Sequence, residues 1–204
     1  MKFFTKNEFI AVFSILSAVV IVSLFNFKIA LRRARDTQRR DDLGAIYNAI
    51  EKYQLEFGFF PLSTDSGKIK ACKPDNYDQI IAELSLLPKF DLEAYLSQLK
   101  DCEWGQDGIF DISDETQPPY IKTLPVDPKF DEQISYFYIS NSRLFQIYAY
   151  LEGEEDEVGY NQAIVNRKIA CGEKTCNFGR AYANTPLDKS LAEYENELME
   201  EKSK

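Results

Sequence analysis

Histidine is absent from this sequence, which also contains a single tryptophan and only two methionines. Because histidine is the commonest general base and a frequent metal ligand, its absence disfavours most hydrolytic and metal-dependent enzymes. The four cysteines include no C-x-x-C pair, so a zinc site is a weaker interpretation than two disulfides. We therefore expect the chain to carry out no reaction and to bind no cofactor, with calcium as the one candidate exception.

Charge is also absent from the stretch between Glu8 and Lys28. The nineteen residues 9–27 have about the length needed to cross a hydrocarbon core of ~30 Å at ~1.5 Å per residue. A secretory signal peptide would end in small residues at a cleavage site, whereas Phe25-Asn26-Phe27 follows here. The sequence therefore predicts an uncut transmembrane segment behind a short leader and polar N-terminus, residues 1–8.

Helix-breaking residues are scarce over the next stretch, where Gly44 is the only glycine and proline is missing until Pro61. Residues 28–57 are polar but carry apolar residues at helical spacing, which predicts an amphipathic continuation of the same helix. Gly58 is a typical stop signal. The members of the apolar stripe are Leu43, Ile46, Tyr47, Ile50, Tyr53 and Phe57.

The remaining sequence predicts an α+β head over residues 58–183 and an acidic C-terminal tail over residues 184–204. The head is expected to pack a small antiparallel β-sheet on the apolar stripe of the long helix and to contain a short helical insertion. Helices are predicted over residues 76–87, 91–100 and the first part of 187–204. Strands are predicted over 134–140, 144–151 and 160–170, and surface loops over 62–74 and 104–119.

The charges divide the chain into a short basic run and a long acidic remainder. Residues 28–40 carry six Lys and Arg, whereas residues 41–204 contain 16 Lys and Arg against 31 Asp and Glu. Such an acidic head repels phosphate, so we expect it not to bind nucleic acid directly. The part of this run from Arg32 to Arg40 has two interpretations, contact with anionic lipid headgroups and pairing with acidic residues of a neighbouring subunit, and both can hold, before and after assembly.

The four cysteines are even in number, which fits two disulfides in a domain outside the membrane and allows three pairings. A bridge between Cys72 and Cys102 would staple the helical insertion. Cys171 and Cys176 flank a short turn, so we expect them to bridge each other.

Glu8 lies at the edge of the apolar segment, where an unpaired carboxylate costs several kcal/mol. A cation from elsewhere, such as the amino terminus of a neighbouring chain, would offset that cost. A strip of small side chains follows Glu8 on one side of the helix and offers a surface for close helix packing. Its members are Ala11, Ser14, Ser17 and Ala18.

Four stretches resemble type IV pilins and the pseudopilins of type II secretion. The start FTKNEF, residues 4–9, resembles F-T-L-I-E-L, and ARDTQRRDDL, residues 34–43, resembles the A-R-D-x-Q-R-x-x-D-L run behind their transmembrane segment. AIEKY at 49–53, followed by GFFP at 58–61, resembles their helix exit. LPVDP at 124–128 resembles a turn of the major pseudopilin.

The resemblance implies that prepilin peptidase cleaves before Phe4, which then becomes an N-methylated amino terminus. Phe3 stands where the family has glycine. Glu8 becomes the fifth mature residue and pairs with the amino terminus of a neighbour. The implied partners are further copies of the chain in a helical filament, inner-membrane lipid and the pilus assembly machinery.

The orientation of the head is contested by two signals. The positive-inside rule counts Lys2 and Lys6 before the apolar segment and six basic residues after it, which alone places the head in the cytoplasm. The resemblance and the cysteines imply an exported head on a single-pass membrane protein, and we adopt that expectation. After assembly the implied location is a filament at the cell surface or in the periplasm.

Two groups of acidic residues were considered as sites. One is a charge run that could bind calcium, made of Glu152, Glu154, Glu155, Asp156 and Glu157. Glu154 and Asp156 are the candidate ligands from this run, and Asp127 joins them because related pseudopilins bind calcium in C-terminal loops. A solvated hairpin tip is the favoured alternative for this run. Residues Asp107, Asp111 and Asp114 have no neighbouring nucleophile or base, so we do not expect acid–base catalysis from them.

Three functions therefore stand as alternatives. The favoured one is a structural subunit of a pilus-like or pseudopilus filament, membrane-anchored before assembly. The second is a monomeric, membrane-anchored extracellular binding module in which residues 9–27 serve only as an anchor. The third, a membrane-tethered enzyme, is disfavoured by the missing histidine and the lack of a nucleophile motif.

Overall fold

A computed structural model describes residues 5–86, 96, 98–111, 116–153 and 158–202 of the chain. These residues form an α+β fold in which a long N-terminal helix packs against small antiparallel sheets, as the sequence predicts. The helices are α1 (Lys6–Phe57), α2 (Tyr77–Ser85), α3 (Gln162–Asn166) and α4 (Leu191–Lys202), with a 3₁₀ turn at Phe130–Glu132. The strands are β1 (Leu62–Ser63), β2 (Ile69–Cys72), β3 (Lys100–Asp101), β4 (Phe137–Ser140), β5 (Phe145–Ala149), β6 (Ala170–Cys171), β7 (Lys174–Thr175) and β8 (Phe178–Ala181).

Helix α1 runs without a break through 52 residues and is therefore roughly 78 Å long. It ends where the sequence predicts, at Gly58, which adopts the left-handed conformation with φ of 80°. The Gly58 N–H donates to the carbonyl of Gln54 at 2.8 Å and closes the last turn. The apolar and amphipathic halves are thus one continuous element.

The strands form two three-stranded sheets, ordered β1-β2-β3 and β4-β5-β8, and a small β6-β7 hairpin. The predicted β4–β5 hairpin is confirmed, with Ser140 opposite Phe145 across its turn. In that turn the Asn141 side chain accepts hydrogen bonds from the N–H groups of Arg143 and Leu144. Both β5 neighbours are antiparallel, so all strands of this sheet alternate in direction.

The core lies between the C-terminal half of α1 and the β4-β5-β8 sheet. Four members of the predicted stripe are completely buried, namely Leu43, Ile46, Ile50 and Tyr53. They share one cluster with buried residues of β4 and β5, and Phe60 packs edge-on against Phe145 there. Burial of each such side chain contributes about 1.5–3 kcal/mol, so this stripe holds the head on the helix.

The predicted third strand over residues 160–170 is wrong. Residues Gln162–Asn166 form α3, because the Asn161 side chain caps the helix by accepting from the Ala163 N–H at 2.9 Å. The third strand of the sheet is instead β8, which pairs with β5. The chain between α3 and β8 forms the β6–β7 hairpin.

Two predicted loops are also corrected. Residues 62–74 contain strands β1 and β2, and Gly67 with φ of 76° lies in the tight turn that joins them. The segment 104–119 is not a solvated loop along its whole length, because Trp104 is only 7% exposed and Ile109 is fully buried. Ile109 bridges to Ile121 as an isolated β-pair, which draws the segment into the core.

The helical predictions have mixed outcomes. The helix expected over residues 76–87 is present as α2, whereas most of the helix expected over 91–100 falls outside the described residues. The tail helix α4 begins at Leu191 and not at residue 187. Its start is set by Ser190 and Glu193, which exchange side-chain and backbone hydrogen bonds as in a capping box.

Candidate functional site: the exposed helix and its ion network

The N-terminal half of α1 projects from the head with its apolar side chains exposed. Phe9, Phe13 and Phe25 are 67%, 64% and 67% exposed. Within the described residues this is the one helix long and apolar enough to cross a membrane, and none of its apolar window is buried in the chain. Soluble monomers rarely expose an apolar surface of this extent, so this half of α1 is a candidate membrane-spanning segment.

The small-residue strip lies on this exposed half. Ala11, Ser14 and Ala18 are exposed and Ser17 is half-buried. The Ser14 hydroxyl donates to the carbonyl of Ile10 at 2.9 Å, so its polar group is satisfied within the helix. The strip is therefore compatible with an apolar environment and leaves room for close approach of a second helix.

Glu8 has a partner that the sequence did not reveal. Its Oε2 atom accepts a hydrogen bond from the Thr5 N–H at 2.8 Å, which satisfies a free donor at the start of α1. Among the described residues, no Lys or Arg forms an ion pair with this carboxylate. The N–H group orients Glu8, and no basic side chain in the described part of the chain balances its negative charge. Phe3 and Phe4, the predicted processing position, lie outside the described residues.

Arg39 is the centre of a buried ion network between α1 and the head. The side chain is completely buried. Its Nε and Nη2 atoms donate to the two carboxylate oxygens of Asp127 at 2.8 and 2.9 Å. Its Nη1 atom donates to Asp36 at 2.9 Å and to Glu152 at 2.8 Å. One guanidinium thus joins α1 to the turn before the 3₁₀ element and to the segment after β5.

Arg35 completes the network by donating two hydrogen bonds of 2.7 Å to the carboxylate of Glu152. Lys129 approaches the same carboxylate at 3.5 Å. The network therefore contains three cations and three carboxylates, Asp36, Asp127 and Glu152. A buried arrangement of this kind is tolerated because every charge has partners of the opposite sign.

The network shifts the pKa values of Glu152 and Arg39. Burial alone would raise the pKa of Glu152, but the hydrogen bonds from Arg35 and Arg39 outweigh it and hold the pKa at about 2. Burial would lower the pKa of Arg39, but its bonds to Asp127 and Glu152 raise it. Both groups are consequently charged across the physiological range.

Arg40 is also engaged within the chain. Its Nη2 atom donates to the Val158 carbonyl, and its guanidinium lies 5.9 Å from the centre of the Phe178 ring. The expectation that the whole basic run serves lipid or a neighbouring subunit is therefore wrong for Arg35, Arg39 and Arg40.

The predicted calcium role of Asp127 does not fit this geometry. Both of its oxygens accept from Arg39, and Oδ1 also accepts from the Lys129 N–H at 2.8 Å. A guanidinium therefore occupies the position that a cation would take. Glu154 and Asp156 lie outside the described residues, as does Asp114. Asp107 caps a turn by accepting from the Glu103 N–H.

The cysteines pair as the sequence predicts, Cys72 with Cys102 and Cys171 with Cys176. The first disulfide joins the end of β2 to the residue after β3 and closes the insertion that contains α2. The second lies across the β6–β7 hairpin. All four cysteines are bonded, and no free thiol remains.

Comparison with known proteins adds no identity to this geometry. No family model matches the chain, and no match is found among characterised proteins or solved structures. The pilin resemblance therefore rests on the quoted sequence stretches and remains a prediction.

Proposed function

We propose that this chain is a structural subunit of a helical filament of the type IV pilus or pseudopilus kind, anchored in the membrane before assembly. The observation that carries the proposal is the continuity of α1. One unbroken helix presents an exposed apolar half and then forms the core of a disulfide-bonded head. In a filament, neighbouring copies would replace lipid around the exposed half.

The ion network favours a filament over an anchored monomeric module. Arg39 lies twelve residues beyond Phe27, roughly 18 Å along the helix, and joins α1 to two separate segments of the head, at Asp127 and at Glu152. A module on a tether gains nothing from a fixed angle between head and anchor. A helical array requires that angle, because each head must take the same place relative to the packed helices.

Under this proposal the partners of the chain are other copies of itself, the membrane lipid, prepilin peptidase and the assembly machinery. Glu8 would set the axial position of an incoming subunit by pairing its carboxylate with the amino terminus of a neighbour. This role is supported by the lack of a basic partner for the Glu8 carboxylate among the described residues. No chemical reaction is assigned to the chain.

The small-residue strip provides the test. The double variant Ser14→Leu with Ala18→Leu fills the strip with bulk and increases hydrophobicity, so membrane insertion is maintained. We expect the subunit to remain in the membrane fraction while sheared surface filaments disappear. A matched control, Val12→Phe with Val19→Phe, adds comparable bulk on the opposite side of the helix at about 100° per residue. We expect this control to assemble.

Normal polymerisation of the Ser14→Leu, Ala18→Leu variant would show that the strip is not a packing surface. If the parent chain also forms no filaments in a host that expresses it and inserts it in the membrane, the result would favour the monomeric, membrane-anchored module.

A further inference from the structure

The basic residues behind the apolar segment differ in their contacts as well as in their distance along α1, and Arg32 has a contact within the structure. Arg35, Arg39 and Arg40 lie roughly 12, 18 and 20 Å beyond Phe27, and all three bind groups of the head. Lys28 and Arg33 lie closer, roughly 1.5 and 9 Å beyond Phe27. The first group holds the head and the second is available for another contact.

Lys28 and Arg33 are both exposed. In the part of the chain that the structure describes, neither forms an ion pair, whereas every acidic group of the Arg39 network is already shared. The polar headgroup layer of a bilayer is roughly 5–7 Å thick on each side of the hydrocarbon core. Lys28 therefore falls inside this layer, and the long side chain of Arg33 reaches back to it.

We propose that Lys28 and Arg33 form a binding surface for anionic phospholipid headgroups of the leaflet on the head side of the membrane. The ligand is the lipid phosphate together with its net negative charge. Lys28 and Arg33 are five positions apart in the sequence, which places their side chains about 140° apart around the helix. They consequently contact different lipid molecules and contribute separately. This contact rests on the membrane anchoring of the proposed function, but it precedes any assembly and does not depend on filament formation.

The effect of each charge follows from membrane electrostatics. A basic residue at the surface of an anionic membrane gains about fivefold in association per charge. Screening at 1 M salt, where the Debye length is about 3 Å, removes most of this gain. If the two residues form this surface, the protein prefers anionic over zwitterionic lipid. The contributions of Lys28 and Arg33 to that preference are additive, and high salt reduces it.

The experiment uses the full chain in phosphatidylcholine vesicles that contain spin-labelled phosphatidylglycerol or spin-labelled phosphatidylcholine. Electron paramagnetic resonance measures the fraction of each label immobilised at the protein, and carbonate extraction verifies insertion. We expect the parent to prefer phosphatidylglycerol. Lys28→Gln and Arg33→Gln should each reduce that preference up to fivefold, and the double variant should remove it. The matched control is Lys52→Gln, which removes the same charge about 38 Å beyond Phe27.

Four outcomes would overturn the inference. A parent without preference would mean that the two charges are satisfied within the chain or that the helix does not enter the bilayer. If the double variant keeps the preference for phosphatidylglycerol, other groups of the protein cause it. The same conclusion would follow if the preference of the parent persisted at 1 M salt. An equal loss in Lys52→Gln would show that net charge and not position is responsible.

Discussion

Glu8 combines a local hydrogen bond with an unbalanced charge, and two substitutions at this one residue separate them. Glu8→Gln keeps an acceptor for the Thr5 N–H but removes the charge, whereas Glu8→Ala removes both. If the charge pairs with a neighbouring amino terminus, both variants insert in the membrane normally and both assemble poorly. Filament yield and length by electron microscopy, with membrane fractionation as the control, measure the effect.

Assembly at the parent level by Glu8→Gln, with a defect confined to Glu8→Ala, would reduce the role of Glu8 to capping the helix. Normal filaments from Glu8→Ala would remove any registry role.

Glu152 makes the free energy of unfolding of the head depend on pH in the acidic range. Its pKa is lowered from 4.5 to about 2 by Arg35 and Arg39 in spite of burial. A carboxyl group whose pKa is lower in the folded state stabilises the fold above its unfolded pKa. That contribution is lost as the pH falls from about 4.5 towards 2.

We expect the free energy of unfolding of the full chain in detergent micelles to decline over this range and the decline to be smaller in Glu152→Gln. Trp104, which is 7% exposed and packs against Tyr136, is a fluorescence probe for the head because it is the only tryptophan. The informative quantity is the difference in free energy of unfolding between the parent and Glu152→Gln at each pH, because other carboxyl groups titrate in the same range. A difference that is independent of pH would contradict the role of Glu152.

The ion network also shows which site residues a sequence can reveal. Asp36 and Arg39 are three residues apart on one helix, a spacing at which a pair is expected. Asp127 and Glu152, however, lie 88 and 113 residues from Arg39 and meet it only after the head has folded. The sequence of the basic run therefore predicts a surface for outside partners, although three of its arginines bind within the chain.

At the scale of secondary-structure elements, the two disulfides differ in what they constrain. Cys72–Cys102 spans 30 residues and Cys171–Cys176 spans 5. Because the loss of chain entropy grows with loop length, replacing the first pair by serine should cost ~3–4 kcal/mol and the second ~2 kcal/mol. Thermal and denaturant unfolding of the two double variants, compared under identical conditions, measure the order.

Peptide mapping without reductant on protein from the native host checks the premise of that comparison. Four free thiols would contradict the disulfides and the exported location inferred from them. A larger destabilisation from the short loop would show that local strain, and not loop closure, governs the result.

Elements with long regular patterns were predictable, and elements defined by distant pairing were not. Helix α1 and the β4–β5 hairpin follow from helical spacing, from Gly58 and from the Asn141 turn. Strand β8 has only four residues and gains its place by pairing with β5, about thirty residues earlier in the chain. The segment 160–170 has the composition of a strand, but the cap at Asn161 selects a helix.

At the scale of the whole molecule, the chain is a long helix whose two halves meet different surroundings. The C-terminal half carries a head that the apolar core and the Arg39 network hold in one orientation. The N-terminal half has no covering in the described part of the chain. The central claim is that copies of this same helix cover it after assembly.

Photo-crosslinking from within the exposed half tests this claim most directly. Benzoylphenylalanine replaces Phe13, which is 64% exposed and close in shape to the photoreactive side chain, and cells expressing the variant are irradiated. The account predicts a ladder of dimers, trimers and larger products that contain only this chain, and the loss of that ladder in the Ser14→Leu, Ala18→Leu background. A single monomer band from fully inserted and irradiated protein would contradict it.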